Sequence, residues 1–136
     1  MTQLRFTTVW MLGLFLAAAC GGGTPRLTEL ETVTAGSVQV VLLSDHNALR
    51  HGKDSFVLEF RSDPGNAPVD VGTVKATANM PMPGMPMFGT IDVRRTSVIG
   101  RYDATGEFSM AGRWRLAVEW DGPAGRGSVS FSGNVQ

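Results

Sequence analysis

The sequence has little cysteine, little histidine and no surplus of either charge. Its 136 residues include one Cys, two His, and 12 Lys and Arg against 12 Asp and Glu, so the formal net charge is zero. A single Cys excludes an internal disulfide and a zinc site built from several cysteines. Without a basic surplus there is no electrostatic basis for binding nucleic acid, whose phosphates must be neutralised. We therefore expect no nucleic-acid partner.

Glycine and proline, in contrast, are plentiful, with 17 and 7 residues. Charged residues make up 18% of the chain, which is too few for a solvated, disordered protein. Turn-forming residues at this density suit a β protein better than a helical bundle. The length allows one ordinary domain. Composition therefore predicts a small all-β domain.

The N-terminus has the organisation of an export signal. Arg5 precedes an apolar run from Val9 to Ala19. The run is shorter than the ~20 apolar residues that a permanent membrane-spanning helix needs. A basic start, an apolar centre and small residues at the end define a signal peptide, which we assign to residues 1–19. We therefore predict that the protein is exported.

The lone cysteine, Cys20, directly follows Ala17, Ala18 and Ala19. This segment resembles the lipobox of bacterial lipoproteins, although Leu16 lies four residues before the Cys where that family usually has Leu at three. The resemblance implies cleavage before Cys20 and a lipid on its thiol. With Gly21 next, it implies an anchor in the outer membrane, facing the periplasm, in a bacterium with two membranes. An ordinary signal peptide cleaved near Ala19 is the alternative.

A polar, glycine-rich stretch follows the cysteine. We interpret residues 20–35 as the lipidated Cys and a flexible tether, and residues 36–136 as the globular domain.

Alternation of apolar and polar residues with a period of two dominates the domain. It is clearest at Trp114, Leu116, Val118 and Trp120, which alternate with Arg113, Arg115, Ala117 and Glu119. The other predicted strands cover residues 38–43, 56–61, 69–78, 90–96, 97–102 and 128–135. About seven short strands in ~100 residues predict an immunoglobulin-like antiparallel β-sandwich.

Methionine is concentrated in one segment, residues 79–88, which read NMPMPGMPMF. Of the seven Met, Met1 and Met11 leave with the signal peptide, and four of the remaining five are Met80, Met82, Met85 and Met87. Proline fixes φ and donates no hydrogen bond, so this segment is an edge or an exposed loop. Pro83 and Gly84 fit the centre of a type II turn. In extended arms on either side of that turn, the four thioethers can converge.

Three interpretations of these methionines remain open. Thioethers are soft ligands that suit Cu(I), with Met110 as a candidate fifth sulfur. Methionine is also a flexible core filler, and an exposed apolar loop can contact a partner. His46 and His51 are weaker candidates for ligands, because imidazole suits Cu(II) or Zn(II) and both residues can equally be surface loop residues.

Several segments together resemble the YtkA-like domain, which is grouped with FixH-like proteins. They are Gly65–Val69, Val74–Ala76, Met80–Met82, Gly100–Ala104 and Phe108–Leu116. The resemblance covers about residues 36–136. It implies an immunoglobulin-like sandwich outside a bacterial membrane, and a link to copper-resistance or cytochrome-oxidase components. The His that often follows the family's Met-Pro element is replaced here by Phe88, which leaves an all-thioether version of the site.

Catalysis has little support in the sequence. The only Cys lies at the signal, neither His belongs to a recognisable Ser or Asp motif, and no phosphate-binding loop is present. We predict that the protein is not an enzyme.

The leading hypothesis is a lipid-anchored domain that binds or hands over copper, with a copper-transport or oxidase-assembly complex as partner. The alternative is a structural or assembly module whose Met-Pro loop docks onto a membrane complex.

Overall fold

The computed structural model describes residues 25–136. The predicted signal peptide and Cys20 lie outside the described residues. Eight strands make up the fold: β1 Thr28–Ala35, β2 Val38–Ser44, β3 Gly52–Ser62, β4 Thr73–Met80, β5 Met87–Arg95, β6 Arg101–Phe108, β7 Gly112–Gly122 and β8 Gly125–Val135. Within the described residues, no helix is long and apolar enough to cross a membrane.

The strands form one antiparallel sheet in the order β1-β2-β3-β6-β5-β4-β7-β8. The outer strands β1 and β8 lie next to each other without a shared hydrogen-bond ladder, so the sheet curls into a nearly closed barrel. The predicted all-β, antiparallel, sandwich-like fold is confirmed. The structure has eight strands where we predicted about seven.

The core lies inside the curled sheet and follows from the alternation in the sequence. On β7, Trp114, Leu116, Val118 and Trp120 are all buried, while Arg113, Arg115 and Glu119 are exposed. Aromatic rings meet edge to face within this core, Phe60 with Tyr102 and Trp120, and Phe108 with Trp114. Such pairs add stabilisation beyond the burial of their area.

The domain begins earlier than the sequence predicted. Residues 28–35, assigned to the tether, form β1 and pair with β2 from Thr28↔Ser44 to Ala35↔Val38. Glu29, Glu31 and three Thr give this strand a polar composition, but Leu30 and Val33 pack against the core. An outermost strand needs few apolar residues, which is why the alternation signal was weak.

Two other strand boundaries were wrong. Residues 97–102 were predicted as a strand, and Val98 and Ile99 have the β-branched, apolar side chains that strands favour. Both are exposed, and they lie in the connection between β5 and β6. The predicted strand 69–78 instead starts at Thr73, after Val71, which is buried before the ladder begins.

Tyr102 links β6 to the segment before β4. Its hydroxyl donates a 2.6 Å hydrogen bond to the carbonyl oxygen of Gly72, and burial raises the pKa of the phenol. We expect Tyr102→Phe to lower the free energy of unfolding by about 0.5–1.5 kcal/mol, because the ring packing stays and one hydrogen bond is lost. Urea denaturation measures this value. An unchanged midpoint and slope would show that the bond contributes nothing.

Candidate metal centre

Antiparallel pairing brings three connections together at one end of the barrel. Residues 45–51 join β2 to β3, residues 81–86 join β4 to β5, and residues 109–111 join β6 to β7. The register places them at one end, because Gly52 pairs with Phe108 and Asn79 pairs with Arg115. We call this end, with these three connections, the methionine end. All five methionines of the described chain lie there: Met80, Met82, Met85, Met87 and Met110.

The centre of the Met-Pro segment is the tight turn that the sequence predicts. A turn lies at residues 83–84, and Gly84 has a φ of 80°, which the third position of a type II turn requires. Pro81, Pro83 and Pro86 all lie in the connection between β4 and β5, so none of them interrupts a ladder. The three prolines therefore lie between the end of β4 and the start of β5.

Two of the methionines line the inside of the barrel. Met80 ends β4, Met87 begins β5, and the two are cross-strand partners. Met80 is only 6% exposed, and Met87 packs against the same core. Gly112 makes room for Met80: a Cβ at this glycine would lie 2.6 Å from the Met80 Cε. A side chain at position 112 would therefore displace the Met80 methyl group, which is the flexible end of that side chain.

The other three thioethers are accessible. Met82 is 42% exposed, Met85 75% and Met110 42%. Met110 lies two residues before Gly112, so the connection that carries it adjoins Met80. The Trp114 indole Nε1 donates a 3.0 Å hydrogen bond to the Met110 carbonyl oxygen, which fixes the backbone there. The connection that carries Met110 therefore lies beside the end of β4, where the Met-Pro segment begins.

The two histidines occupy different positions in the 45–51 connection. His46 is half-buried, and its Nε2 lies 3.2 Å from the Asp45 carboxylate. His51 is exposed, with its Nδ1 3.4 Å from the Gln136 carbonyl oxygen, and it lines one groove with Phe88 and Ser109. His51 is therefore the histidine that faces the segments carrying Met87 and Met110.

Sequence reasoning missed the residues that hold these connections in place. Asp54 is buried, and its carboxylate accepts hydrogen bonds from the backbone N–H groups of Arg50 and Ser55 at 2.9 and 3.0 Å. Leu49 is buried and bridges to Val135. The signal available was an Asp three residues after a histidine, which is too common to identify a loop anchor. No group of three His, Cys, Asp or Glu side chains suited to a metal ion occurs between residues 25 and 136.

Comparison with solved structures finds the same fold in FetP of uropathogenic Escherichia coli strain F11. A copper-bound variant with a Glu-to-Gln substitution matches with a TM-score of 0.56 and 12% identity, over 81% of this chain and 97% of that one. FetP as isolated, after recombinant expression in the E. coli periplasm, matches with a TM-score of 0.51 and 12% identity, over 83% and 97%. At this identity the likeness is one of fold.

Sequence comparison finds no match among curated proteins. A family model, however, matches residues 32–119, from within β1 to within β7. That stretch is more than half of the chain and includes both connections that carry methionines. The chain therefore belongs to the YtkA-like family.

Proposed function

We propose that this protein is an exported, lipid-anchored lipoprotein of the bacterial envelope whose methionine end binds Cu(I) and hands it over. The observation that carries the proposal is the placement of all five described methionines at one end of the barrel, three in two adjoining connections and two at the strand ends beside them. Five methionines scattered through a core would indicate packing alone. Here Met82, Met85 and Met110 are accessible and none of the three belongs to the core.

The donor set fits Cu(I). Thioether sulfur is soft and polarizable and prefers Cu(I) to hard cations. It carries no proton to displace, so its affinity for copper depends little on pH. We assign the first capture of the ion to the exposed Met82, Met85 and Met110, with the half-buried Met87 and then Met80 as inner ligands. An exposed set of ligands suits transfer, because an acceptor can reach the ion.

Two properties of FetP support the proposal. The matched FetP variant is copper-bound, and FetP was expressed in the periplasm, where an exported chain would reside. A copper-transport or oxidase-assembly complex remains the proposed partner, with the membrane reached through the lipid on Cys20.

Titration with Cu(I) against a chromophoric chelator, under anaerobic conditions, tests the site. We expect Met→Leu at positions 80, 82, 85 and 87 together to weaken Cu(I) binding by a factor of ten or more, because leucine keeps the apolar volume and removes the soft donor, which corresponds to about 1.4 kcal/mol or more. Each Met→Leu exchange usually costs less than ~1.5 kcal/mol of stability, so circular dichroism must first show that the variant is folded.

Separate variants determine which of the candidate side chains bind copper. Met82→Leu with Met85→Leu removes the exposed pair, Met80→Leu with Met87→Leu removes the inward pair, and Met110→Leu tests the fifth sulfur. His46→Ala and His51→Ala test the imidazoles, and a loss of affinity between pH 7 and pH 5 would also indicate a histidine ligand. If the wild type and the quadruple variant compete equally for copper, the thioether site is wrong and the loop is a packing or docking surface.

A further inference from the structure

The methionine end also carries most of the exposed apolar side chains. Of the six large apolar residues exposed between residues 25 and 136, four lie here: Met82, Met85, Phe88 and Met110. Met85 and Phe88 are each 75% exposed. The other two, Val98 and Ile99, lie at the opposite end of the barrel. Apolar side chains grouped in this way mark an interaction surface.

Two arginines flank these apolar groups. Arg113 and Arg115 are exposed at the start of β7, and neither forms a salt bridge within the described part of the chain. Arg115 pairs with Asn79, next to Met80, so both cations lie beside the Met-Pro connection. Exposed cations next to apolar side chains suit the boundary between anionic headgroups and acyl chains.

The path of the chain fixes which end faces the anchor. β1 begins at Thr28, opposite Ser44, so the chain enters the barrel at the methionine end. Pro25 lines a groove on the outer wall of the barrel that extends from Thr90 to Arg94 along β5. From Cys20 to Pro25 the chain is five residues long, and this length reaches at most about 18 Å when fully extended. A lipid on Cys20 would hold the methionine end close to the bilayer.

We propose that the methionine end docks on the phospholipid bilayer that holds the lipid of Cys20. Met85 and Phe88 lie in the headgroup boundary, and Arg113 and Arg115 contact anionic headgroups. This orientation rests on the lipid anchor of the proposed function, but not on copper binding. It places the exposed thioethers at the membrane surface, where any ion they hold would be exchanged with a membrane protein.

The orientation can be measured with the full lipidated chain in vesicles of phosphatidylethanolamine and phosphatidylglycerol. A single thiol is introduced by Phe88→Cys or, as the matched control at the opposite end, by Ile99→Cys, and is labelled with an environment-sensitive fluorophore. The lipid on Cys20 blocks the only native thiol. Because interfacial groups lie ~5–10 Å into the headgroup boundary, we expect spin-labelled lipid to quench the label at position 88 about threefold more than that at 99.

A second set of variants tests whether the charges of Arg113 and Arg115 contribute to docking on the vesicles. Arg113→Gln with Arg115→Gln should reduce quenching at position 88, while Arg126→Gln, near the start of β8 at the far end of the barrel, should leave it unchanged. Chains that float with the vesicles but show equal quenching at both positions overturn the docking and leave the anchor intact. If the chains do not float with the vesicles, both the docking and the lipid anchor are wrong. Copper affinity, measured without vesicles, is independent of either result.

Discussion

Replacing Trp114 by alanine is expected to lower the free energy of unfolding by about 3–5 kcal/mol, the range for a large aromatic removed from a core. Its side chain is fully buried, and its ring meets Phe108 edge to face at a centroid distance of 5.4 Å. One ring atom lies 3.2 Å from the position of a Cβ on Gly89, so the ring packs against β5 as well. Removing the ring therefore opens a cavity beneath the methionine end.

Trp114→Phe separates packing from hydrogen bonding. This variant keeps an aromatic ring but loses the bond to the Met110 carbonyl oxygen, so it should destabilise less than alanine does. If the bond positions Met110, the variant should also bind Cu(I) more weakly at full folding. Trp120→Phe, near the opposite end of β7, is the matched control and should leave copper affinity unchanged. Guanidinium denaturation and the chelator competition give the two readouts, and a fully stable Trp114→Ala protein would contradict the packing described here.

The parts of the fold that the sequence predicted best are those with one fully buried face. On β7 every second residue is buried, and the predicted alternation over residues 113–120 lies entirely within Gly112–Gly122. The same holds for β2 and β3, whose predicted cores at 38–43 and 56–61 fall inside the observed strands. Alternation reports burial directly, so it is reliable where one side of a strand is fully packed.

Strand prediction from the alternation of apolar and polar residues failed where the structure depends on neighbouring segments. β1 is half-buried along most of its length and reads as polar, yet it pairs with all of β2. The segment around Val98 and Ile99 shows the opposite error. It was predicted as a strand, but its β-branched side chains are exposed in a turn. Both cases depend on which surface covers the segment, and that information is distributed over the whole chain.

The sequence predicted which segment forms the candidate site, but not how its side chains are arranged in space. Proline and glycine spacing identified the turn at Pro83 and Gly84. The inward direction of Met80 and Met87 could not be predicted, because it depends on the strand register, and a shift of one residue would reverse it. The proximity of Met110 comes from the pairing of β4 with β7, whose residues are distant in sequence.

Replacing Cys20 by serine is expected to abolish attachment to the membrane. The prediction comes from the apolar segment that ends in Ala-Ala-Ala-Cys and lies outside the described residues. A single acyl chain holds a protein only marginally, so stable anchoring needs at least a second chain or another contact with the bilayer. Wild type grown with a fatty-acid analogue should carry the label and fractionate with membranes, while Cys20→Ser should carry none and be released.

The matched control is Thr24→Ser, which changes a hydroxyl residue of the tether and should leave labelling and fractionation as in wild type. An unlabelled, released wild type whose mature N-terminus lies near Ala19 would instead indicate an ordinary signal peptide. If Cys20→Ser is unlabelled but stays with membranes, attachment comes from the methionine end itself, and adding Arg113→Gln and Arg115→Gln should then release it, because the headgroup contacts are electrostatic. Salt extraction provides the same distinction, since it weakens headgroup contacts and leaves a lipid anchor in place.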